Sequence, residues 1–216
     1  MRLPALQPRQ REVHLHAALA ADELVPLVDD HRVHAAERFG NDFRVIRKIL
    51  DDFNPDLVVV CTPAPTVPGL VREFGELGGR GMIVISAGFR EAGPAGRLIE
   101  DELRSVRSEF PNLRMVGPNC LGALRPANGL NASFSPVMAL PGGLAFLSQS
   151  GALVTGILDW SVERKVGFSA CVSTGNMLDV GMGDLIDYFA ADDETQADRK
   201  STRLNSIHIP LSRMPS

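Results

Sequence analysis

Tryptophan and tyrosine occur once each in the 216 residues, and 22 Lys and Arg face 26 Asp and Glu, a net charge of −4. A nucleic-acid binder needs a basic stripe and aromatic platforms for stacked bases, so these shortages argue against that class of partner. Cysteine is scarce too. Cys61, Cys120 and Cys171 are three in number, widely separated and without a CxxC pair, which disfavours both a disulfide framework and a zinc site and fits a reducing compartment. No apolar run reaches the length of a membrane span, and the opening MRLPALQPRQREVHLH has no hydrophobic core like that of a signal peptide. A cytoplasmic protein without membrane contact is expected.

What the chain does have is apolar side chain, 44% of residues, enough for a real core. From Asp56 onward it is ordered regularly. DLVVVC (56–61), MIVIS (82–86), LRMVG (113–117), LAFLS (144–148) and FSACVS (168–173) are short apolar runs rich in β-branched residues, and they read as buried strands. Between the first two, Val67, Leu70, Val71, Phe74 and Leu77 share a helical face; between the next two, Ile99, Leu103, Val106 and Phe110 do the same. After the fourth strand Leu153, Ile157 and Trp160 line one side of a third helix. Alternating strands and crossover helices predict an α/β protein with parallel sheets. Residues 125–143, rich in Pro, Gly and Asn, read as a linker between two α/β units.

The ends differ from this middle. Residues 1–52 show no first strand with a glycine-rich turn and stay unassigned. Residues 197–216 lose the apolar period and resemble a translated adaptor more than a domain end. His14, His16, His31 and His34 form a suggestive cluster, but no Cys or carboxylate stands at ligand spacing beside them, so a metal reading is disfavoured.

In an open parallel sheet the ligand crevice lies beyond the carboxyl ends of the strands, so the loops TPAP, SAGF and GPNC, all following strands, should share one rim. Pro63 and Pro65 offer no amide donor and suit a stiff wall. Ser86, Ala87 and Gly88 suit close backbone approach, or a plain turn. Asn119 is a hydrogen-bonder at a turn, while Cys120 has no nearby His to activate it and is not expected to be a nucleophile. The stretch GGLAFLSQSGALVTGILDW runs from strand to helix through Ser148-Gln149-Ser150-Gly151, where free backbone N–H groups and the helix dipole can hold a phosphate; simple capping by Ser148 or Ser150 is compatible with that. The hydrolase elbow G-x-S-x-G is not met, because Ser148 stands where its first glycine belongs. In STGNMLDVGMGDLIDYF, Gly175 and Asn176 are candidates for the same crevice, and Asp179 and Asp184 for helix caps.

Taken in order, CTPAPTVPGLV, VISAGFRE, GPNCLGALRP, LNASFSP, GGLAFLSQSGALVTGILDW and VSTGNMLDVG resemble the NDP-forming acyl-CoA synthetases, the acetate-CoA ligase group related to the succinyl-CoA synthetase α subunit. The resemblance spans about Asp56 to Thr195. It implies a Rossmann-like CoA-binding domain, incomplete here and placed at 53–141, followed by the start of a flavodoxin-like ligase domain at 142–196. It also implies a reaction: acid, CoA and ATP give acyl-CoA, ADP and phosphate through an acyl phosphate and a phosphohistidine. Pro63, Ala64 and Pro65 with Ile85, Ser86 and Ala87 then correspond to CoA-contacting loops, Asn119 and Cys120 to the turn near the thiol end, and Ser150, Gly151 and Ala152 to the helix start that grips the phosphate.

The same resemblance leaves parts unmatched. The phosphorylated histidine falls after the matching region, His208 in the tail is no substitute, and the ATP-grasp portion that binds ATP or ADP has no counterpart. The expectation is therefore a truncated ligase region, with exposed sheet edges and a need for an ATP-grasp domain or subunit in an oligomeric whole, its substrates CoA and a small carboxylic acid. The alternatives are a non-catalytic CoA-binding regulatory module and a nicotinamide-dependent Rossmann enzyme. The latter lacks a G-x-G-x-x-G with an acidic residue some twenty positions on.

Overall fold

The computed structural model describes residues 55–196, and with them the backbone pairing of one short strand near the N-terminus. The first sheet has four parallel strands in the order β1 (Glu12–Val13), β2 (Leu57–Val60), β3 (Gly81–Val84) and β4 (Arg114–Val116). β1 corrects the expectation that no strand precedes Asp56: Glu12 pairs with Leu57 and Val13 with Val58. Two residues flanked by Arg and His are too short a run to show a period, so their strand state comes from the partner edge. The histidine cluster and the tail from 197 lie outside the described residues.

Period-two alternation decides what covers this sheet. Val58, Val60, Met82, Val84 and Met115 point to one face, where they pack with α1 (Val67–Glu76) and α2 (Pro94–Ser108). The stripes read from sequence hold here: Val67, Leu70, Val71 and Phe74 of α1 and Leu103 and Val106 of α2 are buried, with Leu77, Ile99 and Phe110 packed against them. Pro68 in the first turn of α1 costs no hydrogen bond there. Truncating Phe74 to Ala would cost about 3–5 kcal/mol, the usual range for an aromatic in a closed core.

Val59 and Ile83 point the other way and meet a β-hairpin, β5 (Gly122–Arg125) and β6 (Leu130–Ser133), through Ala132, Ala123 and Leu130. The bridge 125–143 is thus no free linker. Its Asn128-Gly129 pair, a common hairpin signal, sits in the turn between the two strands.

The second sheet runs β6-β5-β8-β7, with β7 (Leu140–Ser148) parallel to β8 (Gly167–Ser173), β5 antiparallel to β8, and β6 antiparallel to β5. The strands expected to be parallel are so, and the hairpin makes this sheet mixed. α3 (Gly151–Arg164) covers one face with Val154 and Leu158 against Leu121, Leu124, Phe168 and Cys171. α4 (Met182–Ala190) covers the other, Phe189 meeting Ala170 and Val172. The expected face of α3 is corrected in part: Ile157 packs against the core as expected, but Leu153 and Trp160 are about half exposed, while Val154, Leu158 and Ser161 face inward. The helix is apolar on both sides, so its period does not choose between them. Ser161 is tolerated there because its hydroxyl donates to Leu158 O at 2.7 Å.

Candidate functional site

Strands β2, β3 and β4 end side by side, and their following turns are laced together. Ile85 N donates to Val60 O and Asn119 N to Ser86 O, each at 2.9 Å. Pro63 opens a single 3-10 turn over Ala64–Thr66, its carbonyl accepting from both the Thr66 amide and the Thr66 hydroxyl. Ala64 is buried and Pro65 exposed. A Cβ on Gly88 would lie 3.2 Å from the Ala64 Cβ, so the first two loops touch. Ser86 is buried with its hydroxyl 3.4 Å from Val60 O, and Ala87 is exposed on the rim. The three predicted loops do share one edge.

Within the third loop the two candidates part company. Asn119 takes a left-handed conformation, φ 57°, and stays partly exposed. The Cys120 thiol turns inward and donates to Val84 O at 3.2 Å, and burial pushes its pKa up to about 12. A thiol so protonated is no nucleophile. Cys61 and Cys171 are raised by burial as well, to about 11 and about 12.

The helix start of α3 lies beside these loops, because a Cβ on Gly151 would stand 3.2 Å from that of Leu121, the residue after Cys120. Ser150 is the N-cap, its Oγ accepting from Leu153 N at 3.3 Å, and its own amide donates to Ser148 Oγ at 3.0 Å. Ala152 follows in the first turn, exposed. Capping occupies only part of the donor set at this end, and the start of this 14-residue helix, its positive end, stands beside the third loop through Gly151 and Leu121.

The segment after β8 closes the arrangement. Asn176, Leu178 and Val180 donate backbone hydrogen bonds to Pro118, Gly117 and Met115 at 2.8, 3.0 and 3.1 Å, laying the chain along the edge of β4. Gly175 sits on the GPNC backbone, where a Cβ would be 2.2 Å from Pro118 O and 2.3 Å from Asn119 O. Asp184 caps α4, accepting from Gly181 N at 2.9 Å as expected. Asp179 is not a helix cap: it accepts from Met115 N and pairs with Arg107 and Arg114. Its place beside a strand edge, rather than a helix start, is what spacing alone did not reveal.

Sequence reasoning missed Glu91, Glu100 and Arg90. Glu100 is 3% exposed, and Glu91 accepts from Gly88 N and Phe89 N at 2.6 and 3.0 Å. Partial burial raises the Glu91 pKa, and donation from Asn176, Phe89 and Gly88 outweighs it, holding the carboxyl below its usual range. The signal for Glu100 was there: it lies on the inward stripe of α2, between Gly96 and Leu103. Among the described residues no cluster of metal-ligating side chains occurs and no helix is long and apolar enough to cross a membrane.

A parallel α/β unit whose strand-end loops converge, joined to a second α/β unit whose helix start packs beside the same loops, defines an α/β protein with a ligand crevice at its strand ends. Family models agree: the CoA binding domain matches residues 16–126, and the succinyl-CoA ligase like flavodoxin domain matches residues 141–197. The chain belongs to the CoA binding domain family, whose model matches about half of it, and carries the succinyl-CoA ligase like flavodoxin domain after it. It is 44% identical over 142 residues to an acetate–CoA ligase (ADP-forming) I of Archaeoglobus fulgidus, covering 66% of this chain and 21% of that protein. With the α subunit of acetate–CoA ligase (ADP-forming) I from Pyrococcus furiosus it shares 37% over 159 residues, 73% of this chain and 34% of that one. A solved structure of the dinucleotide-forming acetyl-coenzyme A synthetase 1 of Ca. Korarchaeum cryptofilum, in complex with phosphate and ADP, superposes with a TM-score of 0.61 at 36% identity, covering 65% of this chain and 30% of that one. The chain thus spans between a fifth and about a third of the length of these relatives.

Proposed function

We propose that this chain supplies the CoA-binding and phosphate-gripping segments of an acyl-CoA synthetase that converts a small carboxylic acid, CoA and ATP into acyl-CoA, ADP and phosphate. The observation that carries this reading is the convergence of the Pro63–Pro65, Ile85–Ala87 and Asn119 loops beside the start of α3, with Gly151 packed on Leu121. The first three loops offer a stiff wall and exposed backbone to CoA. Cys120 supports the turn from within, its thiol held by Val84 O.

Ser150, Gly151 and Ala152 hold the phosphoryl group in transit. A transferring phosphoryl group needs fixed donors aimed at its oxygens more than covalent help, and backbone amides at a helix start are such donors. None of the five histidines falls between residues 55 and 196, so in this reading the phosphohistidine comes to the site from elsewhere, as do ATP and the ATP-grasp domain or subunit that binds it. The complete enzyme works in the cytoplasm as an oligomer or fused chain.

The test is calorimetric titration of the full chain with CoA, with dephospho-CoA and NADH as controls. Saturable CoA binding that weakens with Ala87→Trp, at the exposed rim position, supports the reading. NADH binding in preference to CoA, or no CoA binding by a chain with native circular dichroism, refutes it.

A further inference from the structure

Asn176 has all four of its polar atoms committed. Its backbone N donates to Pro118 O at 2.8 Å, and its backbone O accepts from the Arg90 guanidinium. Its Nδ2 donates to Glu91 Oε2 at 2.7 Å and to Glu100 Oε2 at 2.9 Å, and its Oδ1 accepts from Asn119 Nδ2 at 3.3 Å. The residue is 7% exposed. Glu91 belongs to the loop after β3, Glu100 to α2, Asn119 to the loop after β4, and Asn176 to the loop after β8, so one side chain joins four elements.

The polarity of this relay is forced. Glu91, which also accepts from Gly88 N and Phe89 N and is held below its usual range, only accepts hydrogen bonds, so the end of the Asn176 amide that faces it must be the nitrogen. The oxygen then faces Asn119, and Asn119 must answer with its own nitrogen. That leaves Asn119 Oδ1 as the free end, and no protein donor is paired with it among the described residues. Arg90 and Arg104, 3.6 and 3.7 Å from Glu100 Oε1, balance the charge of the carboxylate.

We infer that Asn176 is a positioning residue that locks the Asn119 amide with its carbonyl oxygen outward, so that the site selects a ligand presenting a hydrogen-bond donor at that point. Resting on the CoA reading above, this directs the contact to a donor-bearing part of CoA, an amide N–H, hydroxyl, amino group or thiol, rather than to its phosphates, which only accept. The function of the loop after β8 is then to complete the CoA site from the second unit.

Two measurements on the full chain decide it. In 15N-labelled protein the one Asn119 Nδ2 proton that is donated to Asn176 Oδ1 should exchange more slowly than its geminal partner, both free and after CoA is added. Rapid exchange in the free chain, or loss of protection on adding CoA, overturns the relay, and this arm is read even if CoA does not bind. In calorimetry, Asn176→Ala and the near-isosteric Asn176→Leu, neither of which offers Asn119 an acceptor, should each weaken CoA by up to about tenfold, as loss of a buried hydrogen bond does, with the Asn119 resonance shifted. Variants that fold and bind CoA like the parent overturn the inference while leaving the functional reading intact. No CoA binding by the parent chain refutes the functional reading and the assignment to a CoA donor group together.

Discussion

Asp179 accepts a 2.7 Å hydrogen bond from the backbone amide of Met115, the central residue of β4. The same carboxylate pairs with Arg107 at 2.7 Å and Arg114 at 3.2 Å, and both Asp179 and Arg107 are largely buried, at 12% and 15% exposure of their side chains. One side chain of the second unit therefore completes an edge of the first. Replacing Asp179 with Ala strands an edge amide and a mostly buried guanidinium. A loss of about 2–4 kcal/mol is expected, read as a lower urea midpoint; a midpoint within error of the parent would mean the clamp is ornamental.

Gly175 takes φ 54° in contact with the Pro118 and Asn119 carbonyls. Gly175→Ala adds a left-handed penalty of about 1–2 kcal/mol, and its methyl would have to displace backbone rather than a pliable side chain. The melting temperature should fall and CoA affinity with it, since the displaced atoms belong to the Asn119 turn. A variant that melts like the parent would show that the loop gives way freely.

Ser150 combines two properties that substitution can separate. Ser150→Asp keeps a good N-cap and adds a favourable dipole interaction, so stability should hold or rise slightly. The new negative charge should abolish binding of inorganic phosphate to the full chain, followed by 31P NMR. Ser150→Ala should do the reverse, costing about 1 kcal/mol of helix stability while the backbone amides still hold phosphate. Equal phosphate binding by the Asp variant and the parent would remove α3 from the phosphate site.

All three thiols are pushed up by burial from an ordinary 9.0 to between about 11 and about 12. Raised acid groups stay protonated in the folded chain while the unfolded chain ionises, so the folded state is favoured fully below about pH 9 and loses ground as pH climbs toward 11. Thermal melts should show that decline. At pH 8 iodoacetamide should leave Cys61, Cys120 and Cys171 unlabelled in the native chain and modify all three in urea. Rapid native labelling of Cys120 would contradict its inward orientation.

Five strands were legible in the sequence because most are covered on both faces and so read as unbroken apolar runs, and the stripes of α1 and α2 because each helix buries one well-defined side. The hairpin was not, because Leu130–Ser133 is short and its polar Asn131 and Ser133 find partners in each other instead of announcing a strand. α3 misled for the opposite reason, being apolar on both sides, and Trp160 drew attention by size while Val154 and Leu158 packed inward. At the site, the loops that follow strands could be placed on one rim from topology alone. The Glu91–Asn176–Glu100 relay could not, since its members stand 85 and 76 residues apart and share no local pattern.

The ladder from residues 176–180 onto β4 has a consequence for biogenesis. Met115 and Asp179 are 64 positions apart, and pairing across such a span is entropically slow. A nascent chain emerging from the ribosome would carry β2, β3 and β4 with one side of the last strand open until that later stretch is synthesised. Ligand competence should therefore arrive abruptly, at a chain length just beyond Val180, and a translational pause placed earlier would leave an unsealed intermediate open to chaperones.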